Sequence, residues 1–203
     1  MQDADGDGMP DEWEWDNGLD PEQDDAALDP DDDGLSNGLE YLHGTNPWND
    51  DTDGDGMPDK WEVDQRQYPS QDDAALDADE DGLSNRLEYS YGTDPWNGDT
   101  DGDGMSDGWE VYNGLYPFQD DADMDPDEDG LSHGTEHING TNPFDGDTDG
   151  DGLNDCEELV VFHTNPCAAD TDDDGMPDGW EDDYGLDPHS QADASGNPDA
   201  DGW

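Results

Sequence analysis

The chain has 203 residues, 63 Asp and Glu against 3 Lys and Arg, and a formal net charge of −60 at pH 7. Leu, Ile, Val and Phe together number 21, about half the share below which a highly charged chain reads as disordered, so a conventional single core is excluded. The longest apolar run, Leu159-Val160-Val161-Phe162, is far too short for a membrane-spanning helix, and phosphate repulsion argues against nucleic acid, so neither membrane insertion nor nucleic-acid binding is expected. What remains is a disordered acidic chain, or one that folds when cations neutralise it.

Internal repeats favour the second. The segment 3–14, D-[A/T]-D-G-D-G-M-[P/S]-D-x-W-E, returns at 51–62 and 99–110 and more loosely at 147–158, with a constant interval between starts. A second form, D-[P/A]-D-[D/E]-D-G-L-S-[N/H]-x-x-E, occupies 29–40, 77–88 and 125–136. A longer step, from first form to second, therefore alternates with a shorter one, from second form back to first. Another first-form loop, 170–181, follows 147–158 at nearly the shorter step, with no second-form loop between them. These spacings divide the chain into repeats 1–48, 49–96 and 97–144 and a variant repeat 145–203. Residues 197–203 align on 29–35 as a truncated loop, which suggests a window on a longer array, or a subunit whose neighbour completes the loop.

Each full loop has oxygen-bearing side chains at positions 1, 3, 5 and 12, nearly always at 9, and Gly at 6. That is the spacing of an EF-hand calcium loop, in which the position-7 carbonyl joins the side chains and Glu at 12 closes the sphere. Calcium suits the set because it accepts 6 to 8 hard oxygens in loose geometry. The first repeat offers Asp3, Asp5, Asp7, the Met9 carbonyl, Asp11 and Glu14, then Asp29, Asp31, Asp33, the Leu35 carbonyl, Asn37 and Glu40. The second offers Asp51, Asp53, Asp55, Met57, Asp59 and Glu62, then Asp77, Asp79, Asp81, Leu83, Asn85 and Glu88. The third offers Asp99, Asp101, Asp103, Met105, Asp107 and Glu110, then Asp125, Asp127, Asp129, Leu131 and Glu136, with His133 at position 9. The variant repeat offers Asp147, Asp149, Asp151, Leu153, Asp155 and Glu158, then Asp170, Asp172, Asp174, Met176, Asp178 and Glu181, and Asn197, Asp199 and Asp201 in the truncated loop. Eight full loops in phase set the expected cofactor at about eight or more Ca²⁺ per chain.

Between loops, G-L-x-P and G-T-[N/D]-P stops limit each expected helix to about two turns. Trp13, Trp61, Trp109 and Trp180 stand four residues after the position-7 Met, on one face of such a turn. They suggest a small apolar plug per unit, completed by the stop-turn Leu or Pro and by Trp48, Trp96 or Phe144. A row of exposed aromatics that binds carbohydrate is the alternative. The recurrent Q-D-D-A before each second-form loop places Asp24, Asp72 and Asp120 where they reach a neighbouring calcium or cap a turn. His133-Gly134-Thr135-Glu136-His137 matches H-x-x-E-H, but its register makes Glu136 a loop ligand, and no enzymatic activity is expected. Cys156 and Cys167 flank one stop and form either a disulfide in an oxidising compartment or two free thiols.

The loops, with their G-T-N-P stops, resemble thrombospondin type 3 repeats, particularly the bacterial ones. The resemblance implies an extracellular or cell-surface calcium protein with little regular secondary structure, serving as stalk, spacer or matrix. The expected fold is therefore an irregular repeat array of calcium-stapled loops with short helical turns and little sheet, drawn out as an elongated rod or fibre. The expected function is that of a calcium-rigidified stalk, matrix component or filament subunit that self-associates or continues a longer array. A dockerin-like module binding a protein or carbohydrate is the alternative. The sequon Asn139-Gly140-Thr141 permits a glycan.

Overall fold

The computed structural model describes residues 2–192; the truncated loop with Asn197, Asp199 and Asp201 lies outside the described residues. Two compact units, Met1–Thr100 and Asp101–Trp203, follow one local plan.

Every helix begins at loop position 9. In chain order they are α1 (Asp11–Asn17), α2 (Asn37–His43), α3 (Asp59–Gln65), α4 (Asn85–Tyr91), α5 (Asp107–Asn113), α6 (His133–Asn139), α7 (Asp155–Glu157) and α8 (Asp178–Tyr184). No strand occurs among the described residues, which hold one isolated bridge, Asp94 with Asn97. Seven residues is about half the length at which an isolated helix becomes even marginally stable in water, so these helices persist only through what surrounds them. All but α7 stop on a left-handed residue, Gly18, Gly44, Gly92, Gly114, Gly140 or Gly185 where the sequence supplies glycine and Arg66 where it does not; α7 runs on into a π-helical turn, Glu158–Phe162, that stops on the left-handed His163.

One backbone hydrogen bond pinches each loop shut. The position-9 N–H donates to the carbonyl just before position 1, as from Asp11 to Gln2, Asn37 to Leu28, Asp59 to Asp50 and Asp155 to Gly146, at 2.8–3.0 Å. Position 6 needs glycine because its φ there is large and positive, +96° at Gly56 and +105° at Gly152. Position 4 sits nearer +62°, and Asp32, Glu80 and Glu128 occupy it.

The core is not the plug that the aromatic spacing suggested. Among the described residues the buried apolar side chains are Met9, Leu35, Met57, Leu83, Met105, Leu131 and Leu153, all from position 7. Stop-turn prolines such as Pro47, Pro95 and Pro143 join them. Trp48, Trp96 and Phe144 stay more than half exposed, because the Trp48 and Trp96 indoles are turned aside to donate to the carbonyls of Asn17 and Gln65. Trp13, Trp61 and Trp109 meet Tyr41, Tyr89 and His137 of the next helix edge-on, with centroids 5.1–5.3 Å apart. Cys156 and Cys167 are free thiols, so the pairing expected as one of two alternatives is not the one present. Cys156 lies against Gly130, while the Cys167 thiol takes the Trp48 role and donates to the Asn139 and Gly140 carbonyls.

Gly179 in α8 packs so closely that a Cβ there would lie 2.6 Å from the Asp151 carbonyl oxygen. Gly179→Ala should therefore lower stability by about 1–3 kcal/mol, against a helix-propensity gain of only about 1 kcal/mol, read as a lower thermal midpoint. A raised midpoint would contradict this packing.

Candidate metal centres

Each loop is organised first by its own backbone. At position 1, Asp51 Oδ1 accepts from the Gly54 N–H at 2.7 Å and Oδ2 from that of Gly56 at 2.9 Å; Asp147 is held alike, and Asp3 Oδ1 accepts from the Gly6 N–H. At position 3, Asp5 Oδ1 accepts from the Asp7 N–H at 3.1 Å, and at position 5 Asp7 Oδ1 accepts from that of Met9 at 2.9 Å. The backbone thus aims the carboxylates, with Asp3, Asp5 and Asp7 offering oxygens within 4.8 Å of one another, as do Asp29, Asp31 and Asp33, and Asp51, Asp53 and Asp55. The position-9 aspartates brace the loop's start: Asp59 accepts from both the N–H and the hydroxyl of Thr52, and Asp155 and Asp178 do the same with Thr148 and Thr171.

The glutamate at position 12 is the centre of each site. Glu14, Glu40, Glu62, Glu110, Glu136 and Glu158 are all fully buried. Among the described residues, neither carboxylate oxygen of Glu14, Glu62, Glu110 or Glu136 has a hydrogen-bond partner. At two stops the threonine supports this glutamate, Thr45 donating to Glu40 at 3.4 Å and Thr164 to Glu158 at 3.1 Å, whereas the buried Thr93 and Thr141 hydroxyls have no hydrogen-bond partner among the described residues. Thr164 follows its glutamate by six residues and Thr45 by five. The extra residue is absorbed by a π-helical turn, Glu158–Phe162, which keeps the contact.

Sequence reading missed a further carboxylate. In Q-D-D-A the first aspartates, Asp24, Asp72 and Asp120, are exposed, whereas the second ones, Asp25, Asp73 and Asp121, are buried. Asp7, Glu14 and Asp25 present oxygens within 4.8 Å of one another, and so do Asp55, Glu62 and Asp73. The backbone sets this up, because Asp7 Oδ2 accepts from the N–H groups of Asp25 and Ala26, and Asp55 Oδ2 from those of Asp73 and Ala74, at 3.1–3.4 Å. The fixed register of Q-D-D-A after each first-form loop was visible, but nothing in it told one aspartate from its neighbour.

The shorter step needs no insert. There the position-5 carboxylate takes the position-10 N–H of the next loop, Cys156 to Asp129 at 3.3 Å and Gly179 to Asp151 at 3.0 Å. The next loop's position-9 aspartate faces the preceding glutamate, Asp59 acting on Glu40 and Asp155 on Glu136. Q-D-D-A therefore supplies, across the long step, what the following loop supplies by itself across the short one.

Burial, reinforced by repulsion from the surrounding aspartates, pushes the glutamates far above the ordinary carboxylate range. Glu14 and Glu136 rise to about 7, Glu40, Glu110 and Glu158 to about 8, and Glu62 to about 9. Asp59 and Asp149 reach about 6 for the same primary reason. A dehydrated glutamate ringed by acids and given no donor fits a divalent cation bound through hard oxygens, which is what the donor set offers.

The bacterial TSP3 repeat model matches residues 29–49, 51–65, 77–98, 99–114, 125–146 and 147–168, more than half of the chain. No curated protein and no solved structure matches it. Repeats of that kind are non-catalytic calcium-binding modules.

These pKa values set the sign of two pH effects. A glutamate whose folded value lies above its unfolded value favours the metal-free fold fully below about 4.5, and that contribution is lost as pH rises through 7–9. Calcium needs the ionised form, so its affinity should rise over the same window and its binding at pH 7 should release protons. Calcium added to weakly buffered protein should acidify it at pH 7 and leave pH 10 unchanged; equal release at both would contradict this account.

Proposed function

The chain belongs to the bacterial TSP3 repeat family, and on that premise we propose that it is an extracellular structural protein, a stalk, matrix component or filament subunit made rigid by calcium. The observation that carries the reading is the buried position-12 glutamate left without a hydrogen-bond donor at Glu14, Glu62, Glu110 and Glu136. The ligands we assign are the side chains at positions 1, 3, 5 and 12 of the eight full loops, with the position-7 carbonyls and, in the first-form loops of the three full repeats, Asp25, Asp73 and Asp121. Positions 9 brace the loops. The carbonyl ligands and the share of position 9 rest on the spacing alone.

Calcium, when bound, supplies the positive charge that lets these carboxylates stay together and ionised. The chain's own part is to fix one oxygen of each aspartate on a backbone N–H, to exclude water from the glutamate, and to close the loop with the position-9 N–H. Extracellular calcium modules bind in the 10⁻⁴–10⁻³ M range, and at 10⁻⁴ M with millimolar calcium each site adds about 1.4 kcal/mol. Stabilisation on that scale at eight sites is comparable with the whole stability of an ordinary domain. This favours a setting where calcium is always millimolar, outside the cell. Continuation as a longer array or self-association is the matching partner assignment.

Above about pH 9, where the buried glutamates ionise and the metal-free fold has lost their contribution, calcium titration followed by circular dichroism and small-angle scattering, reversed with EGTA, should show an expanded chain that contracts and gains helix. Equal compactness without calcium would sink the proposal. Asp73→Asn should weaken calcium binding by at least roughly tenfold at one site, whereas Asp72→Asn should change it little. Electron microscopy of the calcium-loaded protein should show rods or filaments, and compact isolated particles would count against the structural role.

A further inference from the structure

His133 breaks the pattern of the second-form loops. Its sisters there are Asn37 and Asn85, and in each the amide Nδ2 donates to the preceding Q-D-D-A aspartate: Asn37 to Asp25 O at 3.0 Å and Oδ1 at 3.4 Å, Asn85 to Asp73 O at 3.1 Å and Oδ1 at 3.2 Å. The amide oxygens of Asn37 and Asn85 are buried with no hydrogen-bond partner. In the third repeat the imidazole takes over both roles. Its Nδ1 lies 3.1 Å from Asp121 Oδ1, and its Nε2, on the other edge of the ring, is buried with no hydrogen-bond partner, as the sister oxygens are. His133 is only 2% exposed.

The chemistry of that arrangement differs from its sisters'. A carboxylate accepts, so Nδ1 carries a proton and Nε2 is the ring nitrogen left for a ligand. A histidine that donates one ring N–H to a carboxylate and keeps its other nitrogen buried without a partner, at a register position where the loop spacing calls for a ligand, is how protein imidazoles are oriented onto metals. Asp121 is itself beside Asp103, whose Oδ2 accepts the Asp121 and Ala122 N–H groups at 3.1 Å, and it adds to the repulsion on Glu110. The same loop carries Asp127, Asp129 and the buried Glu136. A nitrogen donor is poorly suited to calcium and well suited to borderline divalent ions such as zinc, cobalt or nickel.

We propose that the third repeat holds one mixed imidazole–carboxylate site selective for a borderline transition ion, with His133 Nε2 as ligand and Asp121 as the residue that orients it, in a chain whose other loops take calcium. The ion is structural, and His137, whose ring instead packs edge-on against Trp109, is not a ligand. The proposal rests on the calcium reading for the folded state in which the site is tested, so calcium-dependent circular dichroism is followed in parallel.

The probe is Co²⁺, titrated into the full chain in saturating calcium. One Co²⁺ per chain should bind, with visible d–d bands and a paramagnetically shifted imidazole resonance, and Zn²⁺ should displace it. His133→Asn restores the sister residue, so it should keep the calcium response in full while Co²⁺ affinity at that site falls at least tenfold and the shifted resonance disappears; His137→Tyr should change neither. Co²⁺ binding that survives His133→Asn, or a wild-type chain that binds no Co²⁺ in calcium, would overturn the site. Loss of the calcium response in the wild type would overturn the calcium reading instead, and the Co²⁺ stoichiometry at His133 is scored independently of it.

Discussion

A carboxylate taken out of water and given no donor is the condition on which the rest of this structure depends. Glu14, Glu62, Glu110 and Glu136 occupy the place that a large aliphatic side chain holds in an ordinary core. Their nearest neighbours are aspartates that repel them. Local geometry alone does not reward that arrangement, since no helix among the described residues exceeds two turns and a loop adds at most a single buried Met or Leu. The interior is organised around charge, with apolar residues acting as spacers, which is why a chain so poor in aliphatic residues has an interior at all.

The same condition explains the alternating spacing. The position-5 aspartates Asp7, Asp55, Asp103, Asp129 and Asp151 each give an oxygen to a backbone N–H that comes from further along the chain. When the next loop follows at the short distance, its own position 10 provides that N–H. When the step is lengthened, the Q-D-D-A insert provides it and brings one more carboxylate. Step length and ligand supply are one variable, and the π-helical turn after loop 147–158 shows the tolerance: a single added residue is absorbed locally, so that Thr164 still reaches Glu158.

Most of the site was legible because oxygen ligands must recur at fixed positions, and a loop repeated in phase leaves little freedom. Helix stops were legible for the same reason, the stop glycines Gly18, Gly44, Gly92 and Gly140 each closing a helix in the left-handed conformation. What failed was anything set by contacts between one loop unit and the next. Apolar spacing implied that Trp48 and Trp96 would be interior, but a hydrogen bond from the indole to a carbonyl 31 residues earlier keeps them outside. Asp25 could not be told from Asp24, because the choice depends on which N–H faces Asp7. Two cysteines at a favourable separation were compatible with pairing or with freedom, and each thiol found a separate neighbour in the preceding repeat.

The dependence of position 5 on a donor further along the chain also gives the architecture a direction in time. A chain emerging N-terminus first can wind a loop and point its aspartates, but that loop keeps an unfilled acceptor until 18 to 28 more residues have appeared. Completion of a loop then trails its winding by 18 to 28 residues, with each new segment finishing its predecessor and leaving itself unfinished. Growth of such an array is a queue, in which the newest member is always the loosest and the older ones are already set.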